Sequence, residues 1–328
     1  MKYFLTGGTG FLGGVIARKL REQGHDLIAI ARNPDSASGL KEIGAIVIPG
    51  DVSDKESMRN GMRGCDGVFH VAGWYKLGKR YIGQGYATNV LGTQNVLSLA
   101  EELKISKVVY TSTLAIHSDT KGVEADENYV FRGEHLTEYD RTKAEAHAIA
   151  KEFIKKGLPL VILQPGLIYG PDGTSLSDDA LRDFLKGKIP LIPKKCAYSC
   201  AHVDDVADIH IKAMETAPKG SVYLVCGPSH SFEEIVRIAS ELTGLKMPLA
   251  VPPFVLRISS WMAGLAELFF TLPDMYSSES LRVQAGVTYL GNASKAAKEL
   301  DYHPRDLRTG LKQTLEYEMK KMGMKPRI

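Results

Sequence analysis

Thr6-Gly7-Gly8-Thr9-Gly10-Phe11-Leu12-Gly13 follows the apolar run Tyr3-Phe4-Leu5 and leads into Leu12, Val15, Ile16 and Leu20, which recur at helical spacing until Gly24. The order is strand, glycine turn, helix. Gly7 can take a backbone conformation closed to other residues, Gly10 lets the main chain approach a phosphate, and Gly13 lets the helix pack tightly on its strand. The start of the helix offers free N–H groups and the positive end of its dipole to a pyrophosphate. A glycine triplet by itself is an ordinary turn. Flanked by a strand and a helix, it reads as a dinucleotide site.

Working outward, strand and helix patterns alternate through the first half, as in a parallel sheet covered on both faces. Strands are expected at 26–31, 45–48, 67–71, 107–110 and 160–163, a long helix over 81–103, and a helix from the N-cap Thr137 to about Gly157. From Gln164 the alternation breaks: Pro165, Gly166, Gly170, Pro171 and Gly173 crowd a loop in which the chain leaves the sheet. It returns near His202 with a helix over 203–214, a strand over 222–225 and a helix over 232–242. The last eighty or so residues read as helical pieces broken by proline and glycine. The fold class is therefore α/β, a doubly wound parallel sheet of the Rossmann type with a smaller, mostly helical C-terminal substrate lobe. The nucleotide-binding part is expected at 1–170 and 200–245, the lobe at 171–199 and 246–328.

The chain has 328 residues, enough for a large core, and its net charge of +3 gives no case for nucleic acid or an anionic membrane surface. Cys65, Cys196, Cys200 and Cys226 lack paired metal spacing, so no metal is expected and the thiols read as reduced and cytoplasmic. The start leaves no room for a signal peptide before the glycine turn. Val251–Leu272 is the most membrane-like segment, but Pro252, Pro253, Arg257 and Glu267 interrupt it. It reads as a helix whose stripe (Val255, Ile258, Trp261, Met262, Leu265, Phe269) packs on the lobe, with no transmembrane segment expected and peripheral membrane contact the lesser, open alternative.

Tyr139 and Lys143 lie four apart on one expected helix, so both side chains leave the same face one turn apart. A phenol ionises near pH 10, and an ammonium held close pulls that value toward neutrality. Such a pair is commonly a surface pair. Its place after Thr111-Ser112-Thr113, in a chain that carries the nucleotide turn, makes it a candidate acid/base.

TGGTGFLG at 6–13, GD at 50–51, GCDGVFHVAG at 64–73, NVLGTQNVL at 89–97, VVYTST at 108–113, YDRTK at 139–143, PGLIYGP at 165–171, HVDDVA at 202–207 and NASKAAKELDYHP at 292–304 stand in order along the chain. In their number and order the chain resembles the extended short-chain dehydrogenase/reductases, most of all the dihydroflavonol-reductase-like branch that includes the hopanoid-associated sugar epimerases. The resemblance implies that Tyr139 exchanges a proton with the carbonyl oxygen of a substrate as hydride moves to or from the nicotinamide. Lys143 would hydrogen-bond the nicotinamide ribose, and Thr113 the same substrate oxygen, with Ser112 as the alternative in register. It also implies cofactor contacts from Gly7, Thr9, Gly10, Phe11, Leu12 and Gly13, from Asp51 and Val52 beside the adenine, and from Ala72, Gly73, Pro165 and Gly166. Trp74 and Tyr75 either wall the substrate or pack the lobe. His70 and His202 read as structural, and Asn89 as a brace.

The second strand ends Ala31-Arg32-Asn33, with no acid at its tip to take the adenine ribose hydroxyls. An arginine there suits a 2′-phosphate, so the expected cofactor is NADP(H). Three function classes follow: an NADP(H)-dependent oxidoreductase on a small, mostly apolar ketone or aldehyde, a nucleotide-sugar epimerase or dehydratase, and a nucleotide sensor without catalysis. The intact Tyr/Lys pair argues against the sensor. Relatives that bind nucleotide sugars usually carry an arginine shortly before their HVDD-like segment, where this chain has Lys195-Cys196-Ala197-Tyr198-Ser199-Cys200-Ala201. The reductase is favoured on that ground. A small-molecule substrate is the expected partner, and a homodimer through helices 81–103 and 137–156 is implied by resemblance.

Overall fold

The computed structural model describes residues 1–76, 81–173 and 176–324, so 174–175 and 325–328 of the expected lobe lie outside the described residues. The first half runs β1 (Lys2–Thr6), α1 (Phe11–Glu22), β2 (Asp26–Ala31), α2 (Ser38–Glu42), β3 (Ile46–Pro49), α3 (Lys55–Met62) and β4 (Gly67–His70). It continues through α4 (Ile82–Gly85), a π-helical turn (Tyr86–Leu91), α5 (Gly92–Glu102), β5 (Val108–Thr111), α6 (Glu138–Lys155) and β6 (Leu160–Pro165). After β7 (Leu167–Tyr169) come α7 (Leu176–Leu185), β8 (Leu191–Pro193), β9 (Ala197–His202), α8 (Val203–Thr216), β10 (Val222–Val225), β11 (Ser229–Ser231) and α9 (Phe232–Thr243). The chain ends with β12 (Leu249–Val251), α10 (Pro253–Ala266), α11 (Ser278–Val283), β13 (Thr288–Tyr289), α12 (Ser294–Leu300) and α13 (Leu307–Lys321).

Seven strands form one parallel sheet in the order β10-β6-β5-β4-β1-β2-β3. Parallel strands joined by helical crossovers are covered on both faces, which is why β1 reads Tyr-Phe-Leu without alternation. Its successive side chains divide between two cores: Tyr3 and Leu5 pack with α1 and α8, and Phe4 with α3, α5 and α6. Full burial of Phe4 alone contributes roughly 1.5–3 kcal/mol. A third core joins α7, α9 and α13 through Phe184, Ile235 and Leu315. Beside it lie a small sheet ordered β11-β9-β13, with β7 on β9, and the pair β12-β8. The strand order reverses between β1 and β4, opening a crevice at their C-terminal ends, where ligands bind in such sheets.

Two expectations change. The helix expected over 81–103 runs without interruption from Ile82 to Glu102, but a π turn sits between α4 and α5. Asn89, inside the π turn, binds the Trp74 backbone on both sides, accepting its N–H at 2.8 Å and donating to its carbonyl at 2.9 Å, which fixes the turn in that register. The apolar stripe of 251–272 does not pack on the lobe. Val255, Ile258, Trp261, Met262 and Leu265 of α10 are exposed, as is Phe269 beyond its end. The body-facing residues are instead Ser260 and Ala263, small enough for α11 to approach, with Ser260 Oγ donating to the Ser278 carbonyl at 2.8 Å. No helix among the described residues is long and apolar enough to cross a membrane.

Candidate active site

The glycine turn has no room for side chains. Gly7 has φ +75°, and a Cβ there would stand 2.6 Å from the Ala72 nitrogen; at Gly13 it would stand 2.1 Å from the Gly7 carbonyl oxygen. Gly10 begins α1 in extended conformation without a side-chain cap. The Gly14 N–H is the first to close on the helix, at 2.8 Å from the Gly10 carbonyl, so those of Phe11, Leu12 and Gly13 have no acceptor within the helix. Thr9 and Gly10 are exposed beside them. A turn packed this tightly at Gly7 and Gly13, with unpaired N–H groups at the start of α1 and Thr9 and Gly10 exposed beside them, fits a dinucleotide pyrophosphate.

At the adjoining end of β2, Arg32 is 70% exposed and lies 3.9 Å from Asp51. Asp51 is held by the Ser53 N–H and hydroxyl, both at 2.8 Å, and Val52 is buried where α5 passes closest, at Gly92. These residues lie along one edge of the crevice. At the end of β4, the Ala72 N–H donates to Thr6 Oγ1 at 3.2 Å, tying the two strand ends together. His70 is fully buried between Thr6 and Thr93, at 2.8 and 3.1 Å. Burial pushes its imidazole down to about 3, so it is a neutral strut rather than a base at neutral pH. His202 caps α8, accepting the Asp204 N–H at 3.3 Å.

The candidate acid/base side chains come from the segment just after β5 and from α6. Thr137 caps α6 by accepting the Asp140 N–H at 3.0 Å, which sets Tyr139 in the first turn and Lys143 one turn on. The Thr113 hydroxyl lies beside the Tyr139 phenol, where it favours the ionised form, and accepts the Ala115 N–H at 3.1 Å. Ser112 points elsewhere, its hydroxyl 2.9 Å from His147 Nδ1, so the geometry puts Thr113 rather than Ser112 beside the phenol. Lys143 Nζ donates to the Thr111 carbonyl at 2.9 Å and to the Tyr110 hydroxyl at 3.3 Å, and lies 4.9 Å over the Tyr110 ring. A Cβ added to Gly73 would stand 3.9 Å from this ammonium, so the β4 end and the lysine meet.

The electrostatics differ from the expectation. Burial outweighs pairing at both groups: it pushes the Tyr139 phenol up to about 12, against the lowering effect of Thr113, and the Lys143 ammonium down to about 7. The ammonium is turned to the Thr111 carbonyl and does not lower the phenol. Tyr139 is thus a protonated acid at neutral pH.

Pro165 and Gly166 end β6 on the same side of the sheet. The missing side chain of Gly166 serves β9, since a Cβ would fall 2.0 Å from the Ser199 carbonyl oxygen. Trp74 lies 5.6 Å from the Tyr81 ring and buries an indole N–H that has no acceptor among the described residues, while Tyr75 is exposed. Reading the sequence missed the support under Tyr139. The buried Asp140 carboxylate accepts from Ser118 Oγ at 2.6 Å and from the Tyr289 hydroxyl at 3.2 Å, and burial raises it to about 6. Thr137-x-x-Asp140 has capping-box spacing, the one local signal for it; Tyr289 lies 149 residues away and left none.

With this geometry in hand, comparison with known proteins gives a consistent result. Residues 3–226 match the NAD dependent epimerase/dehydratase family. A 4-hydroxy-2-methyl-3-oxo-4-farnesyl-3,4-dihydroquinoline-1-oxide ketoreductase of Stigmatella aurantiaca is 28% identical over 93% of this chain and 92% of its own. A UDP-glucose 4-epimerase of Streptomyces lividans is 26% identical over 77% of this chain and 84% of its own. The crystal structure of gox2253 superimposes with a TM-score of 0.84 at 28% identity, covering 99% of both chains. The chain belongs to the NAD dependent epimerase/dehydratase family, among the extended short-chain dehydrogenase/reductases, and is an enzyme of that family.

Proposed function

We propose that this enzyme is an NADP(H)-dependent carbonyl reductase acting on a small, mostly apolar ketone or aldehyde. The observation that carries the reading is the Thr113 hydroxyl standing beside the Tyr139 phenol, with the buried Lys143 one turn along the same helix. The cofactor, when bound, supplies the hydride. Tyr139 gives the carbonyl oxygen its proton, the step for which a phenol held protonated at neutral pH is suited. Thr113 donates to the same oxygen as negative charge develops on it. Lys143, held against the Thr111 carbonyl, binds the ribose hydroxyls of the cofactor.

The glycine turn, with Phe11, Leu12 and Gly13 at the helix start, would hold the pyrophosphate. Asp51 and Val52 would flank the adenine, and Ala72, Gly73, Pro165 and Gly166 the nicotinamide half. Arg32, exposed at the tip of β2 with only a 3.9 Å approach to Asp51, is free to turn onto a 2′-phosphate and favours NADP(H) over NAD(H). In this reading 1–170 and 200–245 carry the nucleotide, while 171–199 and 246–328, with Trp74 and Tyr75, close over the substrate.

A second reading, internal epimerisation of a nucleotide sugar, draws support from the similarity to the UDP-glucose 4-epimerase. Against it stands β9, where Ser199 and Cys200 are buried and neither the strand nor the buried Cys196 before it supplies an arginine for a diphosphate. The ketoreductase relative, by its name, handles a farnesylated ketone, which favours an apolar carbonyl. The test mixes purified protein with NADPH and a panel of aldehydes, ketones and nucleotide sugars. The expected result is net NADPH consumption with an apolar carbonyl and one alcohol stereoisomer as product. Sugar interconversion without net cofactor consumption overturns the reductase.

A further inference from the structure

The helix α10 is built inside out. Its body-facing side is Ser260 and Ala263, and Glu267, just past its end, is turned inward to accept the Ser278 N–H at 2.8 Å and hydroxyl at 2.7 Å. Its outward side is large and apolar: Trp261 is 68% exposed, and the aromatic turn that follows leaves Phe269 78% and Phe270 70% exposed. A contiguous patch of this kind on a folded domain marks a surface that meets something apolar. A surface groove of about 440 Å³ runs beside it, lined by Arg257, Trp261, Leu265 and Arg282.

The charges around the patch identify what it meets. Arg257 and Arg282 have no carboxylate partner among the described residues; Arg282 donates only to the Leu136 carbonyl, at 3.2 Å. Lys194 and Lys195 are exposed next to the start of α10, where the Lys194 N–H donates to the Val251 carbonyl at 2.9 Å and Lys195 and Pro253 both lie beside Gly286. We propose that this face docks on the surface of an anionic phospholipid bilayer. In that arrangement α10 lies in the plane of the interface, Trp261 and Phe269 enter the headgroup–acyl boundary, and the Arg257/Arg282 groove takes headgroup phosphates. The helix, about 21 Å long, is too short to span the hydrocarbon core. A second copy of the chain meeting this face about a two-fold axis would bring like guanidinium groups together as they lose water, whereas a bilayer supplies the opposite charge. The docked face adjoins the mouth of the crevice: Arg282 reaches the residue before Thr137, and the Tyr81 hydroxyl donates to Asp274 at 3.2 Å. Delivery of an apolar carbonyl from the bilayer follows only if the reductase reading holds; docking itself does not depend on it.

The test is flotation of the full-length protein with phosphatidylcholine vesicles, with and without phosphatidylserine, with no substrate present. The protein is expected to float with phosphatidylserine vesicles and to be released by high salt. Arg257→Gln with Arg282→Gln should lower the partition coefficient by about thirty-fold, and Trp261→Ser with Phe269→Ser should abolish flotation, all variants keeping the wild-type melting temperature and NADPH affinity. Failure of the wild type to float, equal flotation with both kinds of vesicle, or a stable dimer that Trp261→Ser dissociates would each overturn the proposal. Because flotation is read without turnover, it stands or falls separately from the assignment of the reaction.

Discussion

In α1 the large residues Leu12, Val15, Ile16 and Leu20 are buried against the sheet and α8, while in α10 residues of the same kind face outward and the serines face in. Both stretches show helical periodicity. A periodic pattern states which residues share a face, and leaves open whether that face meets protein, water or another apolar phase. In α1 the ambiguity is removed by chain neighbours: a strand on one side, a glycine turn that forces helix and strand together, and a crossover back to the sheet. Nothing adjacent to α10 supplies such constraint. Its neighbours are prolines and a polar segment that packs through serine hydroxyls.

The contrast can be broken in several ways. Acidification is the broadest. His70 and His147 are pushed by burial down to about 3, and His117, His202 and His210 to about 4, against 6.5 when unfolded. A depressed histidine leaves the unfolded chain binding more protons, so stability falls as pH drops below 6.5; Asp140, raised from 3.8 to about 6, opposes this by one proton between those values. A loss on the order of several kcal/mol by about pH 5 is expected from urea titrations at successive pH. A flat profile would contradict the burial of these rings. All five lie outside α10, so its surface variants should leave the profile unchanged.

Gly13→Ala puts a Cβ 2.1 Å from the Gly7 carbonyl oxygen, a clash with backbone. It should cost about 3 kcal/mol and NADPH affinity together, read by calorimetry and cofactor titration. Unchanged binding would remove the glycine turn from the site. Next in size, Arg32→Glu should weaken NADPH by roughly ten- to a hundred-fold and NADH far less, since only the former carries the 2′-phosphate. An equal effect on both would refute the cofactor preference. Smallest is Trp261→Ser, which on an exposed face should shift stability by no more than about 0.5 kcal/mol. A large destabilisation would mean that α10 is packed after all.

How much could be read in advance follows the range of the interactions. The strands, the Thr137 cap and the placement of Tyr139 and Lys143 depend on neighbours in sequence, and the residues around them suffice. The π turn depends on Asn89 gripping Trp74 and donating to Thr142 Oγ1, 53 residues on, and periodicity cannot show that. The support of α6 by Tyr289 through Asp140 is likewise invisible. The balance at Tyr139 is hidden for a related reason. Spacing reveals that a lysine is one turn away, but burial of both groups, which sets the direction of each shift, is a property of the assembled fold.

The most direct test of the reactive centre is Tyr139→Phe, with NADPH binding and single-turnover reduction of a carbonyl substrate measured on the same preparation. Loss of the proton donor should slow turnover by about a thousand-fold or more while NADPH affinity stays near wild type, because the phenol acts on the substrate oxygen and Lys143 keeps its hold on Thr111 and Tyr110. Turnover within a few-fold of wild type would take Tyr139 out of the mechanism, and with it the account of the site.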